Sequence, residues 1–276
     1  MTDLLGIGAA GVRAYQGALT ITGDNVANAD TAGYIRRTLK LATGATGAGN
    51  PLSRDTTTGA GVTTGDVGRA TDALKTNSAR VASGDHARFA ARADWLTRLE
   101  TTITSAELDA RIGSFFDAAT DLAAAPTAVA TRAIFLDRAE QAATGFSGLG
   151  AGLTRLAADI QSASDTTTTQ VNAITSALAR VNDELRRTQT GGAAANGLLD
   201  SRDSLLAELA DRVKIAVTEG PRGTVTIQIG NGGGAPILVP ANGPALRIAV
   251  RDGPSGAELI LDPTHRAEII RLPASG

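Results

Sequence analysis

Residues 145–185 read GFSGLGAGLTRLAADIQSASDTTTTQVNAITSALARVNDEL, a stretch with a periodic series at Phe146, Leu149, Leu153, Leu156, Ile160, Ala163, Thr167, Gln170, Ile174, Leu178, Val181 and Leu185. Steps of three and four alternate along it, which is the stripe of an α-helix; a half-buried strand would need steps of two. One extra step of four, from Ile174 to Leu178, locally relaxes a left-handed supercoil. Continuous from Thr127 to Thr188, the helix would be about 90 Å long at roughly 1.5 Å per residue. Gly145, Gly148, Gly150, Gly152 and the Thr166 to Thr169 tract oppose continuity, since glycine costs about 1 kcal/mol in a helix interior and threonine loses rotamer freedom there. A bent or locally frayed helix is expected.

The helical pattern extends outward from this stretch. Phe89, Arg92, Leu96, Leu99, Ile103 and Ala106 follow the same alternation, thickened by Trp95, and Leu108, Ile112, Phe115, Phe116, Ala119 and Leu122 form a further amphipathic piece. Pro126 suits a first helical turn. A loop at Thr190 to Asn196 precedes a short helix, Leu198 to Arg212. Beyond it the period changes: 213–218, 224–229, 236–239, 246–250 and 258–261 are short β-branched runs separated by Gly, Pro and Asn, the pattern of a small antiparallel meander. Before Asp66, Leu41 to Gly65 is Gly/Thr-rich and reads as a loop or spacer.

The expected fold class is therefore mainly α: an elongated long-helix bundle with a small antiparallel β-rich C-terminal portion. Three parts are expected, at 1–65, 66–212 and 213–276. Phe115, Phe116, Leu149, Leu153, Leu156 and Ile160 are expected to face one helical core, and that core, rather than the β runs, to carry the stability.

Composition favours a structural part over an enzyme. Of 276 residues 42% are hydrophobic, enough to bury a core, but only 3% are aromatic, so few large rings are available to build a compact one. A formal net charge of −2 provides no electrostatic footprint for nucleic acid or an anionic membrane. Zero cysteines exclude disulfides, thiolate chemistry and Cys-ligated zinc. No basic residue precedes Arg13 and no run is long and apolar enough to span a bilayer, so neither a cleaved secretory signal nor a membrane anchor is expected. His86 and His265 lie in unrelated regions and offer no ready dyad or metal cluster. Gly230 to Gly234 lacks the Gly-Lys-Ser/Thr ending of a phosphate-binding loop and reads as a hairpin turn. No cofactor and no catalytic residue is expected. Asp200, Arg202 and Asp203 read as a capping acid and a solvated ion pair.

At the other end, Leu5, Gly8, Val12, Tyr15, Leu19, Thr22 and Val26 form a second three-four stripe, the seam of an N-terminal helix. It is closed by Asn25-Val26-Ala27-Asn28-Ala29-Asp30-Thr31-Ala32-Gly33-Tyr34. The short polar side chains compete for backbone groups, and Gly33 can take φ > 0, so the chain reverses there.

This ending, with the basic pair Arg36 and Arg37, resembles the N-terminal signature of the axial proteins of the bacterial flagellum. Within that group the chain is similar to the hook-associated proteins of the hook–filament junction. Two stretches carry the likeness: Ile112-Gly113-Ser114-Phe115-Phe116 followed by Pro126 and a long helix, and Asn196-Gly197-Leu198-Leu199-Asp200-Ser201-Arg202-Asp203-Ser204-Leu205-Leu206-Ala207-Glu208-Leu209. Ala32 departs modestly from the signature. The resemblance implies a secreted, extracellular structural subunit, exported unfolded through the flagellar type III channel. It implies assembly through Asn25, Asn28, Thr31, Gly33, Tyr34 and Arg36, with Tyr34 as an anchor, and through the seam Leu5, Val12, Tyr15, Leu19 and Val26. The implied partners are neighbouring copies in a ring, the hook protein, a second junction protein and an export chaperone that binds a C-terminus absent here; nucleic acid and membrane are not among them. The C-terminal helix that would pair with the seam is not in these residues, so a fragment or a shortened relative is expected. The competing readings are a rod or hook component, set apart by its early β-rich segments, and a secreted helical adhesin.

Overall fold

The structure is a computed structural model that describes residues 4–31, 33–43, 61–230, 234–253, 256–261 and 268–270. Five α-helices and eight strands occur in it: α1 (Leu4–Ala27), β1 (Arg37–Thr43), β2 (Val62–Arg69), α2 (Ala73–Thr104), α3 (Leu108–Ala124), α4 (Val129–Arg187), α5 (Ala193–Arg212), β3 (Ile215–Glu219), β4 (Val225–Ile229), β5 (Ile237–Val239), β6 (Ile248–Gly253), β7 (Gly256–Leu261) and β8 (Glu268–Ile270). The fold is mainly α with long helices and small antiparallel sheets, as expected.

Where the helices and strands lie departs from expectation in four places. Helix α4 is continuous over 59 residues, without the expected fraying. Its threonines stay helical by returning their hydroxyls to the carbonyls one turn earlier, Thr166 to Ser162, Thr167 to Ala163 and Thr169 to Asp165, at 2.8–2.9 Å. Gly145 is buried where Leu108 and Arg111 of α3 press against the helix, and a Cβ there would lie 2.7 Å from the Arg111 side chain. The spacer expected from Leu41 to Gly65 is in part strand: β1 and β2 pair antiparallel, Arg37 opposite Arg69 and Thr43 opposite Val62. Its middle, 44–60, lies outside the described residues. Helix α5 starts at Ala193, inside the expected loop, because three alanines supply a strongly helical start once Gly191, at φ 79°, has turned the chain. In place of one C-terminal meander there are two three-stranded sheets, β3-β4-β5 and β6-β7-β8. Gly230 and Gly234 bound the connection from β4 to β5, of which 231–233 lie outside the described residues.

By contacts the chain divides into two units that do not follow the three linear parts. The first holds residues 1–85, 171–248 and 259–276; the second holds 86–170 and 249–258.

In the first unit, Val171, Ile174, Leu178, Val181 and Leu185 of α4 are buried together with Leu206 and Leu209 of α5, Val225, Ile227 and Ile229 of β4 and Leu238 and Val239 of β5. Helix and sheet thus share one core. Asn182, itself buried, pairs with a strand as another strand residue would: its amide donates to the Val225 carbonyl at 2.8 Å and its oxygen accepts from the Val225 N–H at 2.9 Å. Asn172 does the same for Ile248, at 2.8 and 2.9 Å. Both amides satisfy backbone groups that would otherwise be buried unpaired.

In the second unit the packing is looser. Phe115 meets Phe116 edge-on and Phe135 at a tilt, both with ring centroids 5.3 Å apart. Ala118 is the buried apolar residue of this unit among the described residues. This corrects the expected helical core. Phe115, Leu149 and Leu156 are half-buried, whereas Phe116, Leu153 and Ile160 are exposed, at 62%, 39% and 43%. The side chains removed most fully from water lie where α4 and α5 meet β4 and β5, so helices and sheet share that core.

Candidate assembly site

Helix α1 presents two unlike faces. Ile7, Ala10, Gly11, Gly17, Ala18 and Ile21 are half-buried and Ala14 is 1% exposed, a stripe of mostly small residues at three-four spacing. This stripe lies against the β1–β2 hairpin, which is why it is small: a Cβ on Gly17 would meet Leu39 of β1 at 3.3 Å and Thr64 of β2 at 3.8 Å. The seam residues Leu5, Val12, Tyr15, Leu19 and Val26 are offset from that stripe by two positions, about 200° around the helix. They are all exposed. The packing of the opposite face on the hairpin was not foreseen.

The motif residues then terminate α1 and lock its end. Asn28 donates its side-chain amide to the Asp24 carbonyl at 2.9 Å, and the Thr31 hydroxyl donates to Asn28 Oδ1 at 3.3 Å. The Tyr34 N–H reaches the Thr31 carbonyl at 3.1 Å, and Gly33 adopts φ 80°, the left-handed conformation its lack of a Cβ permits. Asn25 holds the first residue of β1 from both sides: its amide donates to the Arg37 carbonyl and its oxygen accepts from the Arg37 N–H, each at 2.8 Å. Tyr34 donates its hydroxyl to the same oxygen at 3.0 Å, and the Arg37 guanidinium lies 5.2 Å from the Tyr34 ring centroid. Tyr34 is thus engaged as a lid on its own helix end, with its polar tip consumed within the chain. The Arg36 side chain is exposed, while its carbonyl accepts from the Ala70 N–H at 2.9 Å.

From Arg37 a chain of charges runs into the body of the unit. Arg37 donates to Asp200 at 3.0 Å; Arg69 of β2 bridges Asp200 at 2.8 Å and Asp203 at 2.7 Å. Arg202 donates to Asp203 through Nε at 2.9 Å and Nη2 at 2.6 Å, and to the Gly223 carbonyl through Nη1 at 2.6 Å. The side chains of Arg69 and Arg202 are 6% and 8% exposed. Arg37 Nε is buried without a hydrogen-bond partner among the described residues. These contacts correct the solvated-pair reading of Asp200, Arg202 and Asp203: the charges are withdrawn from water and satisfied by several donors each, so removing one member leaves an uncompensated buried charge. Arg80 of α2 lies beside the network, and burial lowers its pKa, an effect that Asp203 opposes and Arg202 adds to. Asn196 and Gly191 complete the attachment, the first donating to the Val67 carbonyl at 2.9 Å and the second accepting from the Val67 N–H at 3.0 Å.

Arg37 and Arg69 were not singled out from the sequence as partners of this motif, although one signal was present. Asp200 and Asp203 share a helix face, and positions 196, 204 and 207 one turn away hold Asn, Ser and Ala. No basic side chain on α5 stands three or four positions from either, so apart from the adjacent Arg202, which meets Asp203, their partners come from elsewhere in the chain.

Comparison with known proteins adds independent findings. Residues 96–269 match the family described as flagellar hook-associated protein FlgK helical domain. The chain is 29% identical over 237 residues to flagellar hook-associated protein 1 of Salmonella typhimurium, covering 84% of this chain and 42% of that protein. It is 27% identical over 231 residues to the Bacillus subtilis protein of the same name, covering 78% and 46%. In three dimensions it is similar to the flagellar hook junction protein FlgK from Burkholderia pseudomallei, with a TM-score of 0.58, 18% identity and coverage of 71% of this chain and 36% of that one. The chain therefore spans less than half the length of the relatives it matches.

Proposed function

The chain belongs to the flagellar hook-associated protein FlgK family, and on that premise we propose that it is a structural subunit of the bacterial flagellum at the junction between hook and filament. Its work is assembly, with no turnover. The observation that carries this reading is the two-faced α1. The small-residue face is occupied by the chain's own hairpin, while the opposite face displays Leu5, Val12, Tyr15, Leu19 and Val26 to solvent. Leu5, Val12, Leu19 and Val26 recur every seven residues, the repeat that packs against another helix. Burying each such side chain contributes about 1.5–3 kcal/mol, so the seam is a strong adhesive once a partner helix is supplied.

The turn at Asn25, Asn28, Thr31, Gly33 and Tyr34 is a positioning device in this scheme. It anchors the end of α1 to β1 and, through Arg37 and Asp200, to α5, so that the seam is held at a defined direction relative to the rest of its unit. The partners are neighbouring copies in a ring, the hook protein and a second junction protein, outside the cell. Export proceeds as an unfolded chain through the flagellar type III channel, with an export chaperone as a further partner. Among the described residues no helix is long and apolar enough to cross a membrane, which is compatible with this route.

The test replaces Leu19 or Val12 by Asp in the full-length subunit. Helix content by circular dichroism should be unchanged, because both side chains already face water, while junction assembly and swimming are lost. Parental motility in both variants would sink the proposal.

A further inference from the structure

Beside the buried charge network lies a cavity of about 390 Å³, walled by the end of β2, the start of α2, α5 and the turn at Gly223. Three guanidiniums line it: Arg69, Arg80 and Arg202. Two of them are fully committed. Arg69 is held by Asp200 and Asp203, and Arg202 by Asp203 and the Gly223 carbonyl, with Glu219 at 3.7 Å. Arg80 differs. Its Nη2 donates to the neutral side-chain oxygen of Asn77 on its own helix at 3.2 Å, and among the described residues it forms no ion pair. A half-buried guanidinium has lost part of its hydration; Asp203 and Glu219 attract it without a direct ion pair, and the neutral acceptor on one nitrogen leaves its other donors available. The same wall carries the hydroxyls of Thr71 and Thr76.

We propose that this cavity is a carboxylate-binding site in which Arg80 supplies the charged donors. A planar carboxylate matches the guanidinium fork, and a charge-assisted pair in a partly dry pocket is stronger than one at an open surface. The lining also fixes the class of anion. Asp66, Asp203 and Glu219 stand on the same wall, Asp203 already held by Arg69 and Arg202, and carboxylate repulsion rises with the charge of the guest, so a singly charged carboxylate is favoured over a phosphate dianion. Such a carboxylate comes either from an Asp or Glu side chain of a neighbouring copy, which rests on the assembly reading above, or from a free small carboxylate.

The probe is sodium acetate, titrated against the folded chain with sodium chloride at matched ionic strength as the reference. The melting temperature should rise and saturate with acetate, and the Arg80 Nε resonance should shift. R80Q should weaken the response about tenfold or more, R80K should retain part of it, and D66N should strengthen it. An equal acetate response in parent and R80Q, or a phosphate response equal to that for acetate, overturns the proposal. Full-length R80Q that loses the acetate response and fails to assemble assigns the carboxylate to a neighbouring copy; normal assembly assigns it to a free ligand. If the Leu19 and Val12 variants swim normally while R80Q loses acetate binding, the assembly reading falls and the site stands.

Discussion

Residues 146–160 and 171–185 of α4 carry the same three-four apolar spacing and have opposite fates. Along 171–185 the stripe is covered by α5, β4 and β5, and Leu178 is 0% exposed. Along 146–160, Phe146, Leu153 and Ile160 face water. Periodicity establishes that a helix has an apolar face; it does not establish what covers it. The strands of that cover are held by asparagines that reach 43 and 76 positions along the sequence and that no hydrophobic pattern marks. The less covered stretch belongs to a chain that spans under half the length of the relatives it matches.

The sharpest way to break this contrast is to cut the same side chain from both stretches. Leu178→Ala should cost about 2–5 kcal/mol, because it leaves a cavity in a closed core. Leu153→Ala should cost about 1 kcal/mol or less, since much of that side chain is already hydrated. Urea unfolding of the two variants measures the difference, and equal losses would show that the two stretches are packed alike.

A second substitution sharpens the role of the strand cover. Asn182→Leu preserves apolar bulk but leaves the N–H and carbonyl of Val225, and the Pro240 carbonyl, without their side-chain partner. A loss of about 2–4 kcal/mol is expected, accompanied by faster amide exchange in β4. Exchange in 146–160 should not change. If protection in β4 survives, the helix does not hold the strand through this amide.

The smallest expected effect lies at the end of α1. Gly33→Val places a β-branched residue at φ 80° and should cost about 1–2 kcal/mol locally. The consequence is loss of the Asn25–Tyr34 closure and faster exchange at the C-terminal end of α1, with the core around Leu178 untouched. Hydrogen exchange read by mass spectrometry would separate these regions. A global loss of protection would mean that the helix end and the core form one cooperative unit.

Several particulars were legible before the structure. The long helix, the strand runs after Arg212 and the positive φ of Gly33 all follow from local chemistry: steps of three and four, β-branched runs between turn residues, and a glycine after Asn and Thr. The heptad spacing of large apolar residues along α1 was legible too, while the hairpin on its opposite face was not. The hairpin β1–β2 was hidden, since Thr- and Gly-rich strands with little apolar alternation imitate a spacer. The charge network was hidden for a different reason: Arg37, Arg69, Asp200 and Asp203 join positions up to 163 residues apart, and no local rule pairs them.

What the sequence determined by itself is the set of helices and strands and the faces each must satisfy, because propensity and periodicity act over a few residues. Only the tertiary structure decided which faces are satisfied within the chain. The Leu178 stripe met the sheet, the small-residue side of α1 met its hairpin, and Asp200 and Asp203 met arginines from β1 and β2, whereas the seam of α1 and Phe146, Leu153 and Ile160 stay exposed among the described residues. Burial depends on which distant segments arrive, and that is a property of the whole packed chain, not of any window along it.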